Sequence, residues 1–274
     1  MTTSTGNNGG SEMSFLDHLE ALRWHLVRSA VAIGVLGVVL FFLKDLIFDT
    51  IILGPKHNTF ITYRAMCKLS HLIGAGDDMC ISTIPFSLIN TELSGQFTMH
   101  MWIAFVGGLI ISFPYILWEL WLFIKPALSE KERGNTRGFV FFASILFIIG
   151  ILFSYFMIVP MTINFLGSYQ VSAEIANTIT MDSYISTVTT LTLATGLVFE
   201  LPIIIYFLTH FGIISAAFMR KHRRHAVVVI LIVGAIITPS PDISSQLLVS
   251  FPLYILFEIS IFVARYVERK KSKG

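Results

Sequence analysis

Charge is what this sequence has least of. Asp, Glu, Lys and Arg make up 13% of the chain, hydrophobic residues 54%, and the mean hydropathy is +0.75. A soluble domain carries about 25% charged residues, so this surface cannot all face water. No Pro/Ser-rich or charge-rich stretch is long enough to act as a linker, which leaves one domain. Phosphate-binding loops, dinucleotide fingerprints and zincin helices are absent, as is a nucleophile elbow. An intramembrane protease would need a nucleophile paired with a base, and none can be placed. The eight His are scattered with no metal-ligand spacing, so neither a metal nor a cofactor is expected. Residues 1–13 are polar and lack a basic n-region; they read as a disordered tail and not a secretory signal.

What is there instead is a series of long apolar runs. A helix needs about 20 apolar residues to cross a bilayer. Spans are predicted at about 26–43, 97–118, 138–159, 185–207, 226–238 and 247–264. The last is a little short. The fifth is clearly short: at about 1.5 Å per residue it reaches roughly 20 Å, against a hydrocarbon core of about 30 Å. Local bilayer thinning or water access is expected there. The fold class is therefore all-α, a polytopic membrane domain of six helices over residues 14–266, followed by a basic tail at 267–274.

Positive charge sets the direction. Arg23 and Arg28 precede or enter span 1, and Lys125, Lys131, Arg133 and Arg137 follow span 2. Arg220, Lys221, Arg223 and Arg224 follow span 4, and Arg265, Arg269, Lys270, Lys271 and Lys273 end the chain. On the other side only one loop is basic, with Lys44, Lys56, Arg64 and Lys68. Positive loops stay in the cytoplasm, so both termini are expected there, with the chain in a bacterial inner membrane. Trp24, Trp118 and Trp121 at span ends suit an aromatic belt.

The first outer loop, about residues 44–96, is long enough to fold over the outer face as a cap. It holds both cysteines, Cys67 and Cys80. An oxidising exterior predicts a disulfide between them, contributing about 3 kcal/mol in the chain-entropy model; two free thiols in an apolar cap are the alternative. Pro55 in this loop and Asp242 in the third are expected to shape the outer turns.

Few polar residues need explaining. Glu200 lies inside span 4, where a carboxylate costs about 2.5–3.5 kcal/mol on insertion scales. Ser186, Thr189, Thr192, Gly196 and Glu200 follow helical spacing, forming a stripe that faces a water-filled groove or another helix. Pro202 removes a backbone bond and can kink the helix. Glu258, in span 6, sits where it can pair locally. Asp17-His18-Leu19-Glu20-Ala21-Leu22-Arg23 forms an amphipathic turn opening span 1, and Glu130-Lys131-Glu132-Arg133 a charged loop. Thr238-Pro239-Ser240-Pro241-Asp242 is a tight turn. Alone, neither of the two charged cytoplasmic segments specifies a function, whereas Glu200 reads as a functional intramembrane acid, with a protonated, hydrogen-bonded structural Glu as the alternative. A solute transporter with Glu200 as its proton carrier remains an alternative, though such carriers usually show broken helices in two related halves.

Taken in order, several stretches resemble the TatC family of the twin-arginine protein translocase. They are residues 18–23, Phe113-Pro114-Tyr115, residues 121–128 with Glu130-Lys131-Glu132-Arg133, Phe199-Glu200-Leu201-Pro202, residues 238–242 with Gln246, and Leu256-Phe257-Glu258-Ile259. The resemblance implies a receptor and not an enzyme. It would bind twin-arginine signal peptides of folded cargo and recruit single-span TatA and TatB partners. It would work as a homo-oligomer within a hetero-complex in the lipid bilayer, with export driven by the proton motive force and no role for nucleic acid. By residue match the signal site falls on Glu132 with Phe123 and Pro126, and on the N-terminal motif with Glu20 and Arg23. Carboxylates accept planar guanidinium forks bidentately, which Lys cannot copy. The family's key acid is the fourth residue of that motif, and here that position is Ala21. Either Glu20, about 100° away round the helix, substitutes for it or Glu132 does most of the work. The same match implies partner docking at Thr238 and Gln246, and places Glu200 in a concave face.

Overall fold

The computed structural model describes residues 15–72, 74, 76–77, 80, 86–125, 136–172, 175, 177–238 and 243–272. Apolar runs become helices because a helix alone satisfies its own backbone in hydrocarbon. α1 (Phe15–Phe42) is the first span, and α3 (Gly95–Ile124) the second. The third combines α4 (Thr136–Phe153), a π-helical turn at Ser154–Ile158 and α5 (Val159–Ser168). The fourth combines α6 (Met181–Val198) and α7 (Leu201–His210), which break at Phe199–Glu200 because Pro202 opens α7. After the short α8 (Ala216–Lys221) come the fifth, α9 (Arg223–Ile237), and the sixth, α10 (Ile243–Ser272).

Five segments are long and apolar enough to cross a membrane: Leu19–Phe42, Gly95–Ile124, Val140–Ser168, Met181–His210 and Val249–Lys271. α9 has 15 residues, about 22 Å at 1.5 Å each, so it is the short span the sequence predicts. The sixth helix has 30 residues and runs on through the basic residues near the end of the chain to Ser272.

Packing joins the helices pairwise, α1 with α3, α3 with α4, α4 with α6, and α10 with both α7 and α9. α1 lies along α3 because Gly37 and Gly108 let the backbones meet: a Cβ at Gly108 would stand 2.7 Å from Gly37 N and from Ile33 O. α4 meets α6 at Gly150, where a Cβ would fall 2.8 Å from Phe199. The largest core includes Ile158, Val159, Tyr184, Ile185, Val188 and Leu253. A second, of Phe113, Leu117, Trp121, Ala143 and Phe147, fills the α3–α4 contact. Outward faces stay apolar and exposed, as at Val31, Val35, Val38 and Phe42 on α1 and Phe141 and Ile148 on α4. Such a surface suits lipid.

One end carries the cap. A π-helical turn (Leu46–Ile52), a 3-10 turn (Gly54–Lys56) and α2 (Ile61–Leu72) fold over the third and fourth spans. Tyrosines tie them down. Tyr63 donates to Pro55 O at 2.9 Å and Pro160 O at 3.0 Å, Tyr155 to Ile51 O at 2.8 Å, and Tyr184 to Ile52 O at 2.9 Å. Burial pushes the Tyr63 phenol up above its ordinary range. Pro55 is fully buried and opens the 3-10 turn. Cys67 and Cys80 are joined by a disulfide that closes the loop after α2. Within the all-α architecture there is one small exception: β1 (Ser87–Ile89) pairs in parallel with β2 (Thr178–Thr180), stitching the first cap loop to the second.

Candidate functional site

The end opposite the cap holds the basic segments, and there α1 and α3 enclose a carboxylate. Glu119 is 4% exposed. His25 Nδ1 stands 2.5 Å from its Oε2, and the Tyr115 hydroxyl donates to its Oε1 at 2.7 Å. Arg28 Nη1 lies 4.0 Å from Oε2, on a side chain 58% exposed. The Phe123 ring meets His25 edge-on at 6.3 Å. Spacing explains the cluster. Tyr115, Glu119 and Phe123 recur every fourth residue on α3, and Ala21, His25 and Arg28 share a face of α1. A buried charge persists only when paired and hydrogen-bonded, and Glu119 is both.

Glu119 was not among the residues the sequence singled out. The apolar run that predicts span 2 ends at Trp118, just short of this acid. The helix runs on to Ile124, and an acid within Leu117-Trp118-Glu119-Leu120-Trp121 is the same kind of signal that marks Glu200. Of the predicted site residues, Glu20 and Arg23 are exposed on α1, and neither forms an ion pair among the described residues. Phe123 is half-buried within the cluster. Pro126 and Glu132 lie outside the described residues, in the segment directly after Lys125.

The basic end has further fixed contacts. The Ala216 N–H, opening α8, donates to Glu268 Oε1 at 2.8 Å. Glu258 accepts from Arg223 Nη2 at 2.7 Å and from the Tyr254 hydroxyl at 3.2 Å, so its local partner comes from α9.

Glu200 is a contrast. It is 7% exposed, and neither carboxyl oxygen has a hydrogen-bond partner among the described residues. The polar stripe leading to it faces protein and not a groove. Thr189, Thr192 and Gly196 are buried, Ser186 is exposed, and the two threonines donate to Ile185 O and Val188 O of their own helix. Thr189 Oγ1 also accepts from Trp102 Nε1 at 3.1 Å.

At the cap end, Thr238 and Gln246 are brought close to the same helix. The Thr238 hydroxyl donates to Gly234 O at 2.9 Å, and Gln246 Nε2 donates to Leu231 O at 3.1 Å. Both polar groups therefore face α9 itself. Asp242 lies outside the described residues. An open cleft beside the first cap turn is lined by Lys44, Asp45, Phe48, Asp49, Phe97 and His100. Cys67, His71, Asp77 and Cys80 place four donor atoms within 4.8 Å of one another. Metals bind thiolates, and here the two sulfurs are bonded to each other.

The comparisons with known proteins agree with one another. Residues 17–252 match the family model for TatC, the Sec-independent protein translocase protein. The Sec-independent protein translocase protein TatC of a Blattabacterium from Periplaneta americana is 40% identical over 96% of this chain and 99% of that protein. Its counterpart in Carboxydothermus hydrogenoformans is 32% identical over 96% and 97%, and TatCy of Bacillus subtilis 30% identical over 96% and 93%. Two crystal structures of the twin arginine translocase receptor TatC superpose with TM-scores of 0.66 and 0.69, at 29% and 30% identity. They cover 92% and 90% of this chain and 99% of each of theirs.

Proposed function

The chain belongs to the TatC family of Sec-independent protein translocases, and from that premise we propose that it is the subunit that reads the twin-arginine signal. It is a six-span membrane component of a translocase and not an enzyme. The basic end faces the cytoplasm, as the concentration of Lys and Arg there requires, and the membrane is the bacterial inner membrane. Signal peptides of folded cargo dock at that end, with Glu132 accepting guanidinium and Phe123 receiving the apolar portion of the signal. Glu20 and Arg23 border the site from α1. The observation that carries this reading is the α1–α3 junction. It holds Phe123 against His25 immediately before the segment that bears Glu132.

TatA- and TatB-type single-span helices dock on the cap-end edge of α9 and α10. The short α9 thins the bilayer, and Gln246 exchanges its bond to Leu231 O for a partner's polar side chain. Such interhelical bonds contribute about 0.6–2 kcal/mol. The solute-carrier alternative built on Glu200 gives way to this reading.

The decisive experiment titrates purified protein with a labelled twin-arginine peptide and with its twin-lysine counterpart. The arginine peptide is expected to bind, the lysine peptide poorly, and Glu132→Ala to abolish binding. Equal binding of both peptides by the native protein refutes the reading. Crosslinking from position 246 in membranes is expected to capture a single-span partner.

A further inference from the structure

We propose that Glu119 is a second guanidinium acceptor of the signal site, and that Arg28 is the internal cation that holds its place until a signal arrives. The inference rests on the receptor reading above and adds a residue to it.

A carboxylate offers about four lone-pair sites. Two are in use, one on each oxygen, by His25 and Tyr115. Arg28 stands beside the carboxylate: its Nη1 stops 4.0 Å from Oε2, beyond hydrogen-bond range, on a side chain 58% exposed. A cation so placed balances the charge of Glu119 without completing its hydrogen bonds. An arriving guanidinium can complete them as a bidentate fork, and an ammonium cannot. The burial of Glu119 strengthens that exchange, because charge-assisted bonds gain in low dielectric.

Ala21, half-buried, lies one turn before His25 on the same face of α1, and its side chain is only a methyl group. Phe123, one turn past Glu119 on α3, gives the adjacent apolar surface.

The test uses the full chain in detergent micelles, with peptide binding read by fluorescence anisotropy. Glu119→Gln keeps the shape and removes the charge, and is expected to weaken the twin-arginine peptide at least about tenfold. The twin-lysine peptide should be unaffected. Adding Ala21→Glu to Glu119→Gln places a carboxylate one turn away in the same approach and should recover most of the loss. Arg28→Gln, in the native background, removes the internal competitor and should tighten twin-arginine binding several-fold. A clamp that merely joins α1 to α3 would show neither recovery nor tightening. Unchanged binding in Glu119→Gln, or weaker binding in Arg28→Gln, overturns the proposal. Where the native protein prefers arginine and Glu132→Ala abolishes binding, such a result leaves the receptor reading standing. Equal binding of both peptides by the native protein removes both.

Discussion

Two buried carboxylates, Glu119 and Glu200, are almost equally hidden, at 4% and 7% exposure, yet their surroundings are opposites. Glu119 has a donor on each oxygen and a cation at 4.0 Å. Glu200 has no hydrogen-bond partner on either oxygen among the described residues. The difference follows from helix position. Glu119 is one turn from the end of α3, where His25 and Arg28 of α1 are near enough to the basic end to bring charge inward. Glu200 sits at the α6–α7 break, where its neighbours Phe199, Leu201 and Pro202 offer no donors. The first acid contributes to holding two helices together. The second costs stability where it stands, which is the pattern expected of a residue retained for function.

Removing each acid should therefore move stability in opposite directions. Glu119→Ala is expected to have the largest effect. Breaking a buried pair costs about 3–5 kcal/mol, and the lower end applies because Arg28 is more than half exposed. Denaturation in mixed micelles should show that loss. Stability equal to that of the native protein would mean that the α1–α3 crossing at Gly37 and Gly108 holds alone, and that the cluster adds nothing.

Glu200→Leu should do the reverse. Replacing an unpartnered buried polar group with an apolar one of similar size removes a desolvation penalty of about 1–3 kcal/mol. The variant should be more resistant to denaturation while export of a twin-arginine reporter falls. A variant with unchanged export would show Glu200 to be dispensable and reduce the contrast to one of packing.

How much of this contrast was legible beforehand depends on the residue. Glu200 stood out because Phe199-Glu200-Leu201-Pro202 interrupts an apolar run, and the proline marked the break that separates α6 from α7. The short α9 was legible from the length of its apolar run alone. Glu119 is hidden in the sequence because Trp118 and Trp121 resemble a belt at a span end, although the helix runs on to Ile124. The chemistry of Glu119 also depends on His25, which is 94 positions away and has no local signature. The β1–β2 pairing was hidden for a related reason, since three-residue strands are too short to display alternation. Thr238 and Gln246 were legible as polar residues near span ends. That both point back to α9 carbonyls is a matter of rotamer and not of spacing.

The finest test of the comparison is Tyr115→Phe, which removes one of Glu119's two donors and leaves the other. A hydrogen bond to a charged group is stronger than one between neutral groups, but Tyr115 is 42% exposed, so water can replace its hydroxyl, and the smallest effect of the three is expected. The same substitution made with Glu119→Gln already in place should cost less, because the acceptor is then neutral. A double-mutant cycle measures that difference directly. A coupling of zero would mean that the Tyr115 hydroxyl exchanges freely with solvent, leaving His25 and Arg28 as the neighbours that set Glu119 apart from Glu200.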